Sequence, residues 1–464
     1  MTLILLPSFI IVLGVILLEM GDMGKVKRQV LLGVTLPMEA FEREEVKAIQ
    51  KAYQLRLKWF RRVAILTVLL FIALFSQKIS IQMIYFIVWT VAVCIAPMML
   101  PLPYYKKLKA LKLEQGWLVG KRWEMPKESK GLELGKQKNF SHKWFYGLLL
   151  FPLLSGGVYF IMPDEAYGKM AILFMSFQLL MVFIFIGSNR IVEKVKGKAY
   201  SDNDKINTTV NSLEKRNLSY ILLGSGVSTG VILLVVELGV VQLLRWNTVT
   251  LTVCISCIVL LQVGGILAIY KVTQKKIEGL IGKDQGAMLV DEDAYWINGQ
   301  IYCNPENPAL FVSKRIGIGS GLNMGNPKAK LMAWIVGIFV SILLIYSIGT
   351  LVILDFSTPR ISIQPEGEVQ IDYPMYNESF RIQDIQEIEL LQELPPSSKV
   401  NGASTDTYAR GYFLVKGYGE VKGYWYVDSA PYIVIKLPDR TIVLGEAYSE
   451  ETRALYEALV QARK

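Results

Sequence analysis

Leu331-Met-Ala-Trp-Ile-Val-Gly-Ile-Phe-Val-Ser-Ile-Leu-Leu-Ile-Tyr-Ser-Ile-Gly-Thr-Leu-Val-Ile-Leu354 is followed a few residues on by Ile361-Ser-Ile-Gln-Pro-Glu-Gly-Glu-Val-Gln-Ile371. The first stretch runs 24 residues without a charge. As a helix at ~1.5 Å per residue it is long enough to cross a hydrocarbon core ~30 Å thick. The second alternates apolar and polar residues, the period of a half-buried strand. One chain therefore joins a membrane-spanning part to a β domain, and the change falls near residue 355.

Working back from this junction, further apolar runs occupy residues 1–20, 62–77, 81–101, 144–162, 170–188, 219–243 and 247–270, which brings the expected number of transmembrane helices to about eight. The first has no basic leader and no small-x-small cleavage site, so it reads as a retained span. The weakest is 62–77, which crosses only if Arg61 and Arg62 snorkel and Trp59 anchors at the interface. Hydrophobic residues make up 52% of the 464 and charged ones only 19%, which excludes an ordinary soluble enzyme and a disordered chain. Four cysteines, Cys94, Cys254, Cys257 and Cys303, are too few and too badly placed for a disulfide scaffold. Cys254 and Cys257 read as small apolar fillers of a span.

The net charge of +10 has a direction. Segments 20–62, 104–143, 189–218 and 271–330 hold 36 Lys and Arg, while the three opposite connections hold one each, Lys78, Lys169 and Arg245. The positive-inside rule then makes the long segments cytoplasmic and puts both the N-terminus and everything after residue 355 outside a plasma membrane. Residues 355–464 carry −6 and the rest of the chain +16, a distribution that reports orientation and removes nucleic acid from the partners. Lys106-Lys107-Leu108-Lys109 offers a place for anionic lipid headgroups. Basic segments flank 62–101 on both sides, so the chain must cross there an even number of times.

Residues 39–62 space Phe41, Val46, Ile49, Tyr53 and Leu57 as one face of an amphipathic helix. In segment 271–330, Tyr295-Trp296-Ile297 and Ile301-Tyr302 flank Asn298-Gly299, a type I′ hairpin signal, and Leu310-Phe311-Val312 suggests a third strand. So small a piece needs neighbouring loops or the bilayer to support it. After residue 355, strands are expected at 361–365, 368–373, 379–382, 385–391, 409–416, 421–428, 431–437 and 440–445. Pro395-Pro396 and Asn401-Gly402 punctuate them. A closing helix presents Thr452, Leu455, Tyr456, Leu459 and Val460, so the expected fold is a mainly-β barrel or sandwich with one capping helix. The organisation is thus a transmembrane region at 1–270, a small cytoplasmic β domain at 271–330, a last span at 331–354 and an extracytoplasmic domain at 355–464.

The chain contains no metalloprotease, nucleophile-elbow, phosphate-loop or dinucleotide motif in its required context. With a single His142 a His-based zinc site is also excluded. The expectation is a non-enzyme without cofactor or metal. One ionisable residue stands well inside an apolar run, Glu237, and an ion there is costly unless paired or protonated, which makes it a candidate functional residue. Gln178 and Gln262 are the other polar residues near mid-membrane, suited to an interhelical hydrogen bond. The last domain is dense in aromatics, and Tyr412, Tyr424 and Tyr426 are candidates for receiving a peptide or protein.

Some stretches resemble known families. Gln29-Val-Leu-Leu-Gly-Val-Thr-Leu-Pro37, with Glu45, Val46, Lys47 and Tyr53, resembles the first cytoplasmic loop of multipass proteins of Firmicutes related to SdpI-type immunity and signalling proteins. Trp296-Ile-Asn-Gly-Gln-Ile-Tyr302 and Asn304-Pro-Glu-Asn-Pro308, then Phe311, Val312, Lys314, Arg315, Gly317 and Gly319, resemble a domain of unknown function found before the last helices of such proteins. Ile385, Ile388, Leu394-Pro395, Gly411, Phe413, Gly417-Tyr-Gly419, Pro431-Tyr432 and Leu455-Tyr456 are similar to bacterial pleckstrin-homology-like domains. The resemblance implies a receptor, immunity or envelope-signalling component that recognises a peptide or protein. The alternative from the residues alone is an ion or small-molecule transporter that uses Glu237.

Overall fold

The computed structural model describes residues 2–27, 29–117, 141–161, 165–194, 203–241, 243–244, 246–281, 291–317 and 320–463. Helix α1 (Thr2–Met23) leads to a two-strand turn, β1 (Val30–Leu31) and β2 (Val34–Thr35). Then come α2 (Glu44–Phe71), α3 (Ile79–Met99), α4 (Leu102–Glu114), α5 (Leu150–Ile161), α6 (Glu165–Lys194), α7 (Asp204–Val240) and α8 (Thr248–Ile281). Among the described residues seven helices are long and apolar enough to cross a membrane.

The difference from eight lies in α2. The amphipathic segment expected at 39–62 and the span expected at 62–77 are one helix, charged in its first half and apolar only from Val63 onward. It ends at Phe71 in a 3-10 turn over Ile72–Leu74. Val46, Tyr53 and Leu57 are buried as the spacing requires. Helices α2 and α3 pair antiparallel, because the Tyr85 hydroxyl donates to the Thr67 carbonyl at 2.6 Å and the Trp89 indole to the Thr67 hydroxyl at 2.9 Å. The chain therefore reverses its direction between α2 and α3.

Packing divides the helices into two groups. Helices α1 to α4 share one core around Phe9, Phe71, Trp89 and Leu108. Helices α5, α6 and α7 share another around Phe145, Leu148 and Val182, and α8 packs on α7 and touches α1. Without a hydrophobic drive between helices in lipid, close backbone approach supplies much of the contact. Gly226 and Gly230 of α7 provide it, since a Cβ on Gly230 would lie 2.3 Å from the Phe151 ring.

The small domain holds β3 (Trp296–Ile297), β4 (Ile301–Tyr302), β5 (Phe311–Ser313) and β6 (Ser320–Leu322). Asn298 and Gly299, with φ of 53° and 71°, make the expected type I′ turn. The third strand is not added to that hairpin. Strand β5 pairs with β6 in a separate ribbon, and α8 occupies the start of segment 271–330 as far as Ile281.

Helix α9 (Pro327–Phe356) leads to β7 (Arg360–Ile363), β8 (Glu368–Asp372) and β9 (Glu378–Arg381), a three-stranded sheet in that order. Strands β10 (Glu387–Leu391), β11 (Ser397–Ser404), β12 (Tyr408–Val415), β13 (Gly419–Tyr426), β14 (Tyr432–Lys436) and β15 (Thr441–Gly445) form a second sheet, ordered β10-β14-β15-β13-β12-β11, and α10 (Ser449–Arg463) closes the domain. Its core joins Val369, Ile371, Ile433, Ile435, Leu444 and Leu459 of α10. The fold class is thus a helical membrane protein followed by a mainly-β domain with one capping helix. Strand β11 replaces the punctuation expected at Asn401-Gly402. Gly402 and Gly411 face each other with φ of 135° and 122° beside a register shift, and a Cβ on Gly402 would meet the Arg410 carbonyl at 2.2 Å.

Candidate functional site at the helix–domain junction

The first acid after the last span, Asp355, ties three parts of the chain together. It is 8% exposed, and its Oδ2 accepts from the Ser80 backbone N–H at 2.9 Å and from the Ser80 hydroxyl at 2.5 Å. A carboxylate from the end of α9 thus caps the first turn of α3, where its charge suits the helix dipole. Its Oδ1 accepts from the Tyr408 hydroxyl of β12 at 2.9 Å. Burial, then the neighbouring carboxylate, pushes that hydroxyl far above the usual phenol range.

Around this carboxylate the contacts continue. The Tyr373 hydroxyl donates to the Leu354 carbonyl at 2.6 Å, and Arg410 donates to the Ser357 carbonyl at 2.6 Å. The Arg410 guanidinium is 2% exposed and stacks against Tyr408, Tyr373 and Tyr426. Lys78, in the α2–α3 turn, donates to the Asp355 carbonyl at 3.0 Å and lies over the Phe356 ring. On its other side the domain rests Leu414 and Val400 on Val158, Ala171 and Val241, so it straddles both helix groups.

The tyrosines expected to recognise a ligand divide. Tyr424 is 2% exposed, donates its hydroxyl to the Tyr376 carbonyl and belongs to the core, so it presents no face to a partner. Tyr412 and Tyr426 are half-buried, the first against Tyr376 and the second under Arg410. Alternation along a strand cannot separate such cases when both faces of a sheet are covered. A more open feature is a groove lined by Glu368, Arg381, Asp384, Asp439 and Arg440. Glu378 holds Arg440 there at 2.9 Å.

Glu237 of α7 is fully buried. The Ser155 hydroxyl of α5 donates to its Oε2, while its Oε1 has no partner among the described residues. Gln178 of α6 is also buried, facing a small cavity beside Phe151, Gly226 and Gly230, and neither of its amide atoms has a partner among the described residues. The interhelical bond expected of Gln178 is therefore not made there. Gln262 is half-buried on α8. Arg245 lies outside the described residues.

At the opposite face the small domain locks onto the first loop. The turns at Leu32-Gly33 and Asn298-Gly299 meet backbone to backbone, and a Cβ on Gly33 would lie 2.7 Å from the Gly299 Cα. Asp293 accepts from the Thr35 N–H and hydroxyl at 3.1 and 2.9 Å, from Lys112 of α4 at 2.7 Å and from Arg315 at 2.5 Å. Burial opposes its ionisation, yet the Arg315 and Lys112 cations outweigh that and hold the carboxyl below the usual aspartate range. Lys112 also pairs with Asp291. Among the described residues no three of His, Cys, Asp or Glu gather into a metal-holding set.

Comparison with known families agrees with these two domains. Residues 360–457 match the bacterial PH domain, and residues 305–330 match a family of unknown function, DUF5808. No curated protein and no solved structure matches the chain. Seven helices of membrane-spanning length are thus joined to a C-terminal domain similar to the bacterial PH domain.

Proposed function

We propose that this protein is a non-catalytic receptor of the plasma membrane, an immunity or envelope-signalling component, whose PH domain lies outside the cell and takes a peptide or protein. The carrying observation is the Asp355 junction. Helix α9 is fixed to the PH domain and to α3 at one end. At the other end Asn326 accepts from the Lys328 N–H at 3.0 Å and donates to the Pro308 carbonyl at 2.9 Å, which fixes α9 to the small domain. Helix α9, a single helix buried only near its two ends at Ala329, Leu354 and Asp355, is the covalent link through which a shift of the PH domain would reach the opposite face. The excess of Lys and Arg on that face supports a cytoplasmic assignment, with the exposed Lys106 and Lys107 directed at anionic headgroups. The first-loop resemblance to SdpI-type proteins of Firmicutes supports the same class.

The polar groove at Arg381, Asp384 and Arg440 is better suited to a charged segment than the tyrosines are, and Tyr412 and Tyr426 can add only part of a ring each. A photo-crosslinker placed at Asp384 of the full-length protein in intact cells should capture the ligand, and Arg381→Glu should abolish the capture. Equal capture from a control position at Glu420 would sink the reading.

Glu237 favours a second reading, transport of an ion or small molecule, because its carboxyl is buried with one oxygen unpaired among the described residues. Glu237→Gln separates the two. Loss of a pH-dependent flux in vesicles with normal insertion supports transport, whereas an unchanged phenotype beside sensitivity to Arg381→Glu supports recognition.

A further inference from the structure

We infer that the loop Tyr373-Pro-Met-Tyr-Asn377 dips into the bilayer leaflet beneath the PH domain, with Met375 seated among the lipid chains. The topology sets its height. The chain leaves α9 at Phe356, moves away along β7, turns at 364–367 and returns along β8, so that Arg360 pairs with Asp372 and the following loop comes back to the level of the helix end. The Tyr373 hydroxyl on the Leu354 carbonyl fixes that level at the last turn of α9.

The chemistry of the tip agrees with that height. Asn377 accepts from the Tyr373 N–H at 3.0 Å, and the Tyr376 N–H bonds the Tyr373 carbonyl at 3.0 Å, so the turn is closed on itself. The Tyr373 and Tyr376 rings point into the domain, whereas Met375 is 55% exposed with φ of 69°. A turn in water at this φ favours Gly or Asn, and an L side chain here is uncommon. A methionine in this place gains only where its surroundings are apolar. The five residues carry no charge within a domain of net −6. The surface of α9 leading to that last turn is apolar, with Ile345, Tyr346, Ile353 and Phe356 exposed. Lipid already covers that face of a spanning helix, so it is the occupant the loop meets. The assignment holds whichever side of the membrane the domain occupies.

The test uses the full-length chain with Cys94, Cys254, Cys257 and Cys303 replaced by Ala, reconstituted in phosphatidylcholine–phosphatidylglycerol vesicles. An environment-sensitive fluorophore is attached at Met375→Cys, at Pro374→Cys in a second chain, and at Glu366→Cys in the distal β7–β8 turn as the aqueous control. Nitroxide carried on lipid chains should quench the labels at 374 and 375 and leave 366 bright, while iodide on both sides should do the reverse. Iodide quenching of all three labels would overturn the proposal. Shielding of 374 and 375 from both quenchers would overturn it too, because a protein surface would then be the cover.

Discussion

Replacing Asp355 with Ala should free the PH domain from the helix ends without unfolding either part. The side chain accepts three hydrogen bonds, two from Ser80 and one from Tyr408, and all three donors are buried. A net hydrogen bond to a charged group contributes about 1.5–3 kcal/mol, and a stranded buried donor costs about 1–3 kcal/mol. The bonds share one carboxylate and water reaches the opened joint, so the total falls short of their sum, at about 4 kcal/mol, or roughly a thousandfold in the docked fraction. Asp355→Asn keeps the shape and one acceptor oxygen and should lose about half as much. Hydrogen exchange of the full-length protein in nanodiscs reads the effect directly: amides at 79–84 and 405–412 should lose protection, while those of β14 and β15 keep theirs. Combined with Tyr408→Phe, the Asp355→Ala variant should show a coupling of about 1–2 kcal/mol. Unchanged exchange at both segments, or strictly additive losses in the double variant, would refute Asp355 as the joint.

The opposite face has its own consequences. Because Asp293 has a folded pKa below the ordinary 3.8, its contribution to stability is full above that value and is lost as pH falls through the lowered one. An acid melt should show this loss, and Asp293→Asn should remove that part of the pH dependence while costing about 3–5 kcal/mol through the cations left behind. Gly33→Ala should loosen the small domain from the first loop, since the new Cβ has no room against Gly299; limited proteolysis within 291–317 would show it, and wild-type resistance would argue against the contact. A cysteine at Ser398 should react with an impermeant maleimide added to intact cells, and protection there would reverse the proposed orientation.

Much of the membrane part was legible because its physics is local. A run of two dozen apolar residues has to be helical in hydrocarbon, where no water can satisfy its backbone, and the partition of Lys and Arg needs only counting. Asn298-Gly299 was legible for the same reason, since a two-residue turn is chosen by the residues within it. Asn401-Gly402 reads alike and became part of β11, because its glycine answers Gly411 on a neighbouring strand. Glu237 stood out as a lone acid in an apolar run. That Ser155 would meet it, from a helix more than 80 residues away in sequence, had no local signal.

By itself, then, the sequence determined which segments other than 62–77 form apolar helices long enough to cross a membrane, that a mainly-β domain with a closing helix follows them, and where the charge resides. Only the tertiary structure decided that Tyr424 serves the core, that Asp293 joins Lys112, Thr35 and Arg315, and that Asp355 binds α9, α3 and β12 into one joint. The physical reason is common to all three. Periodicity and composition report how a residue partitions between water and an apolar phase, whereas a hydrogen bond or ion pair depends on which distant group the fold carries to within about 3 Å.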